Sequence, residues 1–324
     1  MNNTGRIWRI APHYLLLLIG FTGIVLLYLS WEFIIENRYF DRSDLDVYFK
    51  ESRWVVGQGV LYKEVFSEYP LLANLIFGFV RFSSELLHPL SSSYHSFTLV
   101  WVSFAWCLYL GMTYLIITKT SAQSLLIWLA PGVLFLSLLR FDIYPSITTF
   151  LFFVSLKQEK YFQSAFWLGI TIAVKGYALF TMPAYFVFLF YKKGFWGAVK
   201  LAIFTLFPFV FCNIIVFAYA GYKGFIMPYA FHASRRQDGA STYDAISYLS
   251  SFLGCGSLSI PPKVAQLLQI LTSLIAAGLR PKRFKDVVDA FLLSIVGFLT
   301  FHVKSWKTDE KRVLAKVHYA RYSG

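Results

Sequence analysis

The chain has 324 residues, of which 57% are hydrophobic and only 15% charged, with a mean hydropathy of +0.57. Soluble domains average about 25% charged residues, so this composition excludes an ordinary soluble domain and points to a membrane. The formal net charge of +13 does not argue for a nucleic-acid partner, because membrane proteins collect Lys and Arg in the loops that stay in the cytoplasm.

Apolar stretches recur along the chain and predict an all-α, polytopic transmembrane helical bundle. Arg6 and Arg9 precede the first apolar run, residues 14–31. That run ends Ser30-Trp31-Glu32 with no small-residue cleavage site, so it reads as a retained first helix with the N-terminus cytoplasmic. Residues 36–93 then form an outer loop. Between Glu36 and Glu85 this loop carries eight acids and six bases. Within it, 44–56 reads as a charged amphipathic helix. The apolar piece 70–82 is too short for an ordinary span and reads as a juxtamembrane helix in the interface.

Further spans are expected at 97–118, 125–139, 143–156, 162–174, 178–191, 198–220, 264–279 and 287–303, giving nine in all within a single domain, 1–303. A second outer loop is expected at 221–262. Charge supports this threading. The inner turns hold Arg6, Arg9, Lys119, Lys157, Lys160, Lys192, Lys193, Lys200, Arg280, Lys282, Arg283 and Lys285 against Glu159 and Asp286. One span more or fewer would invert the pattern. Cys107, Cys212 and Cys255 form no disulfide framework and no zinc spacing. No repeat, low-complexity tract or soluble domain is visible.

Charge within or beside a membrane span is expensive and needs a reason. The threading puts Arg140, Asp142 and Lys175 at the outer ends of their spans, on the side that also holds Asp44, Asp46, His232, Arg235 and Arg236. An acidic pair, a histidine and several cations would then face one outer cavity. The plain alternatives are a solvated helix face for the acids, interfacial side chains reaching for water at Arg140, Asp142 and Lys175, or Arg140 paired with Asp142, and an ordinary loop histidine at His232. Asp44-x-Asp46 could also hold a divalent cation through hard oxygen ligands. Tyr48, Tyr62 and Tyr69 could stack on sugar rings or seat the loop at the interface.

Four stretches together resemble the GT-C glycosyltransferases, and within them glycosyltransferase family 87, which uses polyprenol-phosphate-mannose. They are Ser43-Asp44 through Tyr48 with Gly59, Tyr62 and Glu68-Tyr69-Pro70; Arg140-Phe141-Asp142-Ile143-Tyr144-Pro145; Lys175-Gly176-Tyr177 with Pro183; and His232-Ala233-Ser234-Arg235 with Gln237 and Ser241. They cover about residues 10–303 in the family's order. Leu71 and Ala178 stand where the family usually has proline.

The resemblance implies a GT-C-type bundle that transfers a hexose, mannose by the family, from a polyprenyl phosphate to a lipid-linked or glycan acceptor outside the membrane, with inversion. It implies Asp44 as base, with Asp46 second, and His232 at the acceptor or the donor phosphate. Arg140, Asp142, Lys175, Arg235, Tyr48, Glu68 and Tyr69 would bind donor or substrate. No metal or other cofactor is implied. The rival readings are a flippase for a lipid-linked sugar and a non-catalytic scaffold. Family members continue past this point with further apolar helices, whereas residues 304–324 here are polar, with six bases and two acids. The expectation is a basic tail on a chain cut short, in which case an inactive paralogue is a further alternative.

Overall fold

A computed structural model describes residues 43–87, 94–120, 122–234, 249–252 and 262–300, together with Gly20 and Gly23. The expected first span, apart from those two glycines, and the basic tail lie outside the described residues, as do Arg235, Arg236, Gln237, Ser241 and Cys255. Among the described residues the structure is helical, and the one extended pairing is an isolated bridge between Leu61 and Val65. The chain divides into two units, Met1–Gly176 with Lys200–Pro228, and Tyr177–Val199 with Tyr229–Gly324.

In the first unit, α1 (Ser43–Glu51) runs into a 3-10 turn, Ser52–Val56, that stops at the left-handed Gly57. The expected 44–56 helix is therefore present, with a tightened second half. Helix α2 (Leu71–Leu87) begins beside Pro70, which cannot donate within a preceding turn. It is longer than the 70–82 piece read from the sequence. Helix α3 (Tyr94–Lys119) is the main apolar rod of the unit. It buries Phe97, Trp101, Ala105, Tyr109 and Ile116 along one face at helical spacing.

The expected single span at 125–139 is two helices, α4 (Ala122–Trp128) and α5 (Pro131–Leu139). The reason is local: Pro131 brings no N–H to the ladder and holds Ala130 extended, with ψ 135°. Helix α4 is pinned to α3 by the Trp128 indole N–H on Thr113 Oγ1 at 2.9 Å and by Tyr109 Oη on the Trp128 carbonyl at 3.0 Å. Then α6 (Ile143–Lys157) and α7 (Tyr161–Val174) pack side by side, with Thr171 donating to Thr148 at 2.8 Å. Helices α5 and α6 meet at a bend of 111°.

A 3-10 turn, Gly176–Thr181, leads into helix α8, Met182–Ser234. Two left-handed residues interrupt α8, Gly194 at φ 71° and Gly221 at φ 70°. A right-handed helix cannot pass through such a residue, and only glycine takes the angle without cost. The stretch is thus three runs, 182–193, 195–220 and 222–234. The middle run is about 39 Å long at 1.5 Å per residue, enough to cross a bilayer core of about 30 Å. Its outward face is apolar, with Ile203, Phe207, Phe211, Ile214 and Phe217 exposed at helical spacing.

The sequence placed an inner turn at Lys192–Lys193, and Gly194 follows directly. It also expected residues 221–262 to be an outer loop. That is corrected for 222–234, which is helical and carries Pro228 within it. In the second unit, α9 (Pro262–Gly278) and α10 (Phe284–Thr300) form a hairpin closed on Ala184, Ala276 and Ala290.

By length and composition, two helical stretches among the described residues can cross a membrane, Tyr94–Lys119 and Gly176–His232, or three if the bent pair α5–α6 is one span. Helices α7 and α9 are shorter, and nine spans remains an expectation.

Candidate active site

Helix α1 has one working face. Asp44, Tyr48 and Glu51 stand at i, i+4 and i+7, so their side chains share it. Asp46 falls on the other side and is exposed. The two aspartates that looked like a pair in the sequence are therefore separated, and only Asp44 is turned toward the rest of the unit. Its carboxylate meets Arg140 Nε at 3.5 Å, with both side chains about a quarter to a third exposed (30% and 26%).

Arg140, Phe141 and Asp142 occupy the bend between α5 and α6. A break in a helix leaves backbone groups without their ladder partners. Here Tyr48 supplies one, because the Phe141 N–H donates to Tyr48 Oη at 3.1 Å. The phenol is buried and its ring is stacked on Phe77 at 4.6 Å and Trp101 at 4.7 Å. One side chain thus fixes both α1 and the bend that presents Arg140 and Asp142. Burial, with Asp44 and Asp142 nearby, pushes the Tyr48 hydroxyl well above its ordinary pKa, so it stays protonated.

Asp142 follows the bend, yet it does not cap α6 with its side chain. That side chain instead forms an ion pair with Lys175 Nζ. Lys175 is itself the extended residue between α7 and the next 3-10 turn. Each Asp–cation pair therefore involves the bend between α5 and α6, and the second joins it to the break after α7.

The third wall is the corner Glu68-Tyr69-Pro70. Tyr69 meets Tyr48 edge-on at 5.7 Å, Phe77 at 5.2 Å and Phe141 at 6.0 Å. A buried polar network holds the corner. Glu51 accepts the Ser67 hydroxyl and, at 3.1 Å, the Glu68 N–H. The Asn74 amide donates to Ser67 Oγ at 2.7 Å, the Tyr69 carbonyl at 2.9 Å and Tyr62 Oη at 3.0 Å. Tyr62 Oη in turn donates to the Tyr69 carbonyl at 2.6 Å. Burial, with the Glu68 carboxylate nearby, pushes Glu51 well above the usual carboxylate range.

The structure thus gathers Asp44, Tyr48, Glu68, Tyr69, Arg140, Asp142 and Lys175 in one unit. His232 lies near the end of α8 in the second unit, exposed, with its ring edge-on to Phe231 at 5.5 Å. Arg235 is outside the described residues. Sequence reasoning missed Glu51, Ser67 and Asn74. The signal for Glu51 was present, since it stands three residues after Tyr48 on the same face. Among the described residues no three His, Cys, Asp or Glu side chains gather as a metal site requires.

Helices of this length and apolarity fit a membrane protein, and the polar groups cluster at breaks between them. No family model matches the chain, and comparison with curated proteins and with solved structures gives no match.

Proposed function

We propose that this chain is an integral membrane glycosyltransferase of GT-C type. It moves a hexose, mannose by the resemblance, from a polyprenyl phosphate to a lipid-linked or glycan acceptor on the outer face of a multi-pass bundle of about nine spans. The observation that supports this most is the pairing of Asp44 with Arg140 and of Asp142 with Lys175 around one helix bend.

Such a set suits the chemistry. Asp44 takes the proton from the acceptor hydroxyl as its oxygen bonds to the anomeric carbon. The bond from that carbon to the phosphate oxygen breaks, and its electron pair leaves on the phosphate. Arg140 and Lys175 stabilise the charge that gathers there. One displacement inverts the anomeric centre and needs no covalent enzyme intermediate. In the resting pairs each cation already neutralises a carboxylate. An arriving phosphate would compete for Arg140 and free Asp44 to act as base. Tyr69, only partly buried, supplies aromatic surface beside the reacting groups, while the buried Tyr48 holds the bend in place.

A bend carrying charge also suits a transporter for the same lipid-linked sugar, since transporters place ionisable groups at broken helices. Mass spectrometry of the purified protein tests what the two readings share. A co-purified polyprenyl phosphate or its glycoside is expected, and a preparation carrying only bulk phospholipid counts against both.

A further inference from the structure

The second unit carries a charged feature that the transfer reaction does not use. The run 182–193 ends at Tyr191-Lys192-Lys193, just before the left-handed Gly194. The hairpin α9–α10 turns at Arg280, also left-handed at φ 52°, and continues through Lys282, Arg283 and Lys285. These two turns are far apart in sequence but meet in space, because Lys282 Nζ lies over the Tyr191 ring, 4.9 Å from its centroid. Six cations therefore crowd one end of the unit.

Two acids stand nearby. Asp286 is occupied: it accepts the Lys282 and Arg283 N–H groups at 3.2 and 2.9 Å, and pairs with the Arg283 guanidinium at 3.1 Å. Asp289 lies one turn further on and is exposed. The balance is strongly positive. Exposed apolar groups flank the cations, with Trp196 79% exposed and Phe195 and Leu279 also open. The hairpin above the turn shows Leu267, Leu274, Leu292 and Val296 outward. An acidic protein or a nucleic acid would meet the cations but would leave this apolar rim in water. A membrane surface satisfies both at once. Lys and Arg meet anionic headgroups there, and Trp sits at the boundary.

We infer that the joined turns at Lys192–Lys193 and Arg280–Lys285 form a binding site for anionic phospholipid headgroups. The site is distinct from the Asp44–Arg140 cluster and independent of its chemistry. Two turns that meet in space make a local site, whereas scattered basic loops would respond only to total charge.

The test uses the full chain in nanodiscs of phosphatidylcholine, with or without phosphatidylglycerol. Thermal unfolding should shift upward by several degrees with phosphatidylglycerol, and the shift should shrink in high salt. Lys192→Gln combined with Lys282→Gln and Lys285→Gln should abolish the shift while leaving the phosphatidylcholine value near wild type. Lys157→Gln with Lys160→Gln, at a different turn, should keep it. Photo-crosslinking of the unaltered protein with a phosphatidylglycerol probe gives a readout that needs no variant to fold. Labelled peptides should come from 191–196 and 279–285. Crosslinks spread evenly over all basic turns, or a phosphatidylglycerol shift lost equally in the Lys157/Lys160 variant, would overturn the proposal.

Discussion

Glu51 gives the account a property that can be measured without knowing any substrate. Its carboxyl is buried and held by Ser67 and the Glu68 N–H. In the folded chain it keeps its proton above the usual carboxylate range, mainly because burial disfavours the charge. In the unfolded chain it loses that proton near pH 4.3, about the ordinary value for glutamate. Between those two points the folded state binds one more proton than the unfolded state. Stability therefore falls as pH rises through that window, by up to about 1.4 kcal/mol per pH unit, and levels off once folded Glu51 ionises. Glu51→Gln keeps the shape and one acceptor but cannot ionise. Denaturant unfolding in detergent, followed from pH 5 to pH 8, should show a downward slope in the wild type that flattens in the variant. An identical slope in both would refute the reasoning, as would a wild type that gains stability as pH rises through that window.

Three further outcomes follow from the same geometry. Asn74→Ala removes the donor to Ser67, Tyr62 and Tyr69 in a fully buried place, and should cost roughly 1–3 kcal/mol in denaturant unfolding; a loss within error of zero would mean the corner is held by other groups. Asp44→Asn should lower transfer about 10²–10⁴-fold with normal expression and unfolding, while Asp46→Asn, on the exposed face, should stay near wild type; reversed effects would exchange their roles. Lys175→Ala should raise the donor KM markedly yet change stability by only about 0–1 kcal/mol, because the pair is partly exposed, and equal losses of fold and activity would make it a structural ion pair.

Much of the fold was legible because apolar runs and punctuating residues act locally. The helix at 97–118 and the turn beside Lys192–Lys193 follow from apolar length and from a cluster of charge before a glycine. The break at Pro131 was missed because apolarity alone does not report a missing N–H. The helix 222–234 was missed because the span 198–220 was taken to end the apolar run, and everything from 221 to 262 was assigned to the outer loop. Yet the chain is helical again directly after the left-handed Gly221, and Pro228 is tolerated inside.

The cluster of Asp44, Arg140, Asp142 and Lys175 was visible as ionisable residues beside apolar runs. Which carboxylate meets which cation was not, since Asp44 and Arg140 are far apart in the chain. The split of Asp44 from Asp46 follows from helix geometry once α1 is a helix. Asn74 was hidden because a single polar residue in an apolar helix looks the same whether it serves a network or merely interrupts the face.

The most direct test of the central claim is transfer from a radiolabelled polyprenyl-phosphate mannose in proteoliposomes supplied with a crude lipid-linked glycan acceptor fraction, comparing wild type with Asp44→Asn. Label should appear in the acceptor with the wild type and almost none with the variant. Label that crosses the bilayer while staying on its original carrier, equally in both proteins, would contradict the claim and favour a transporter.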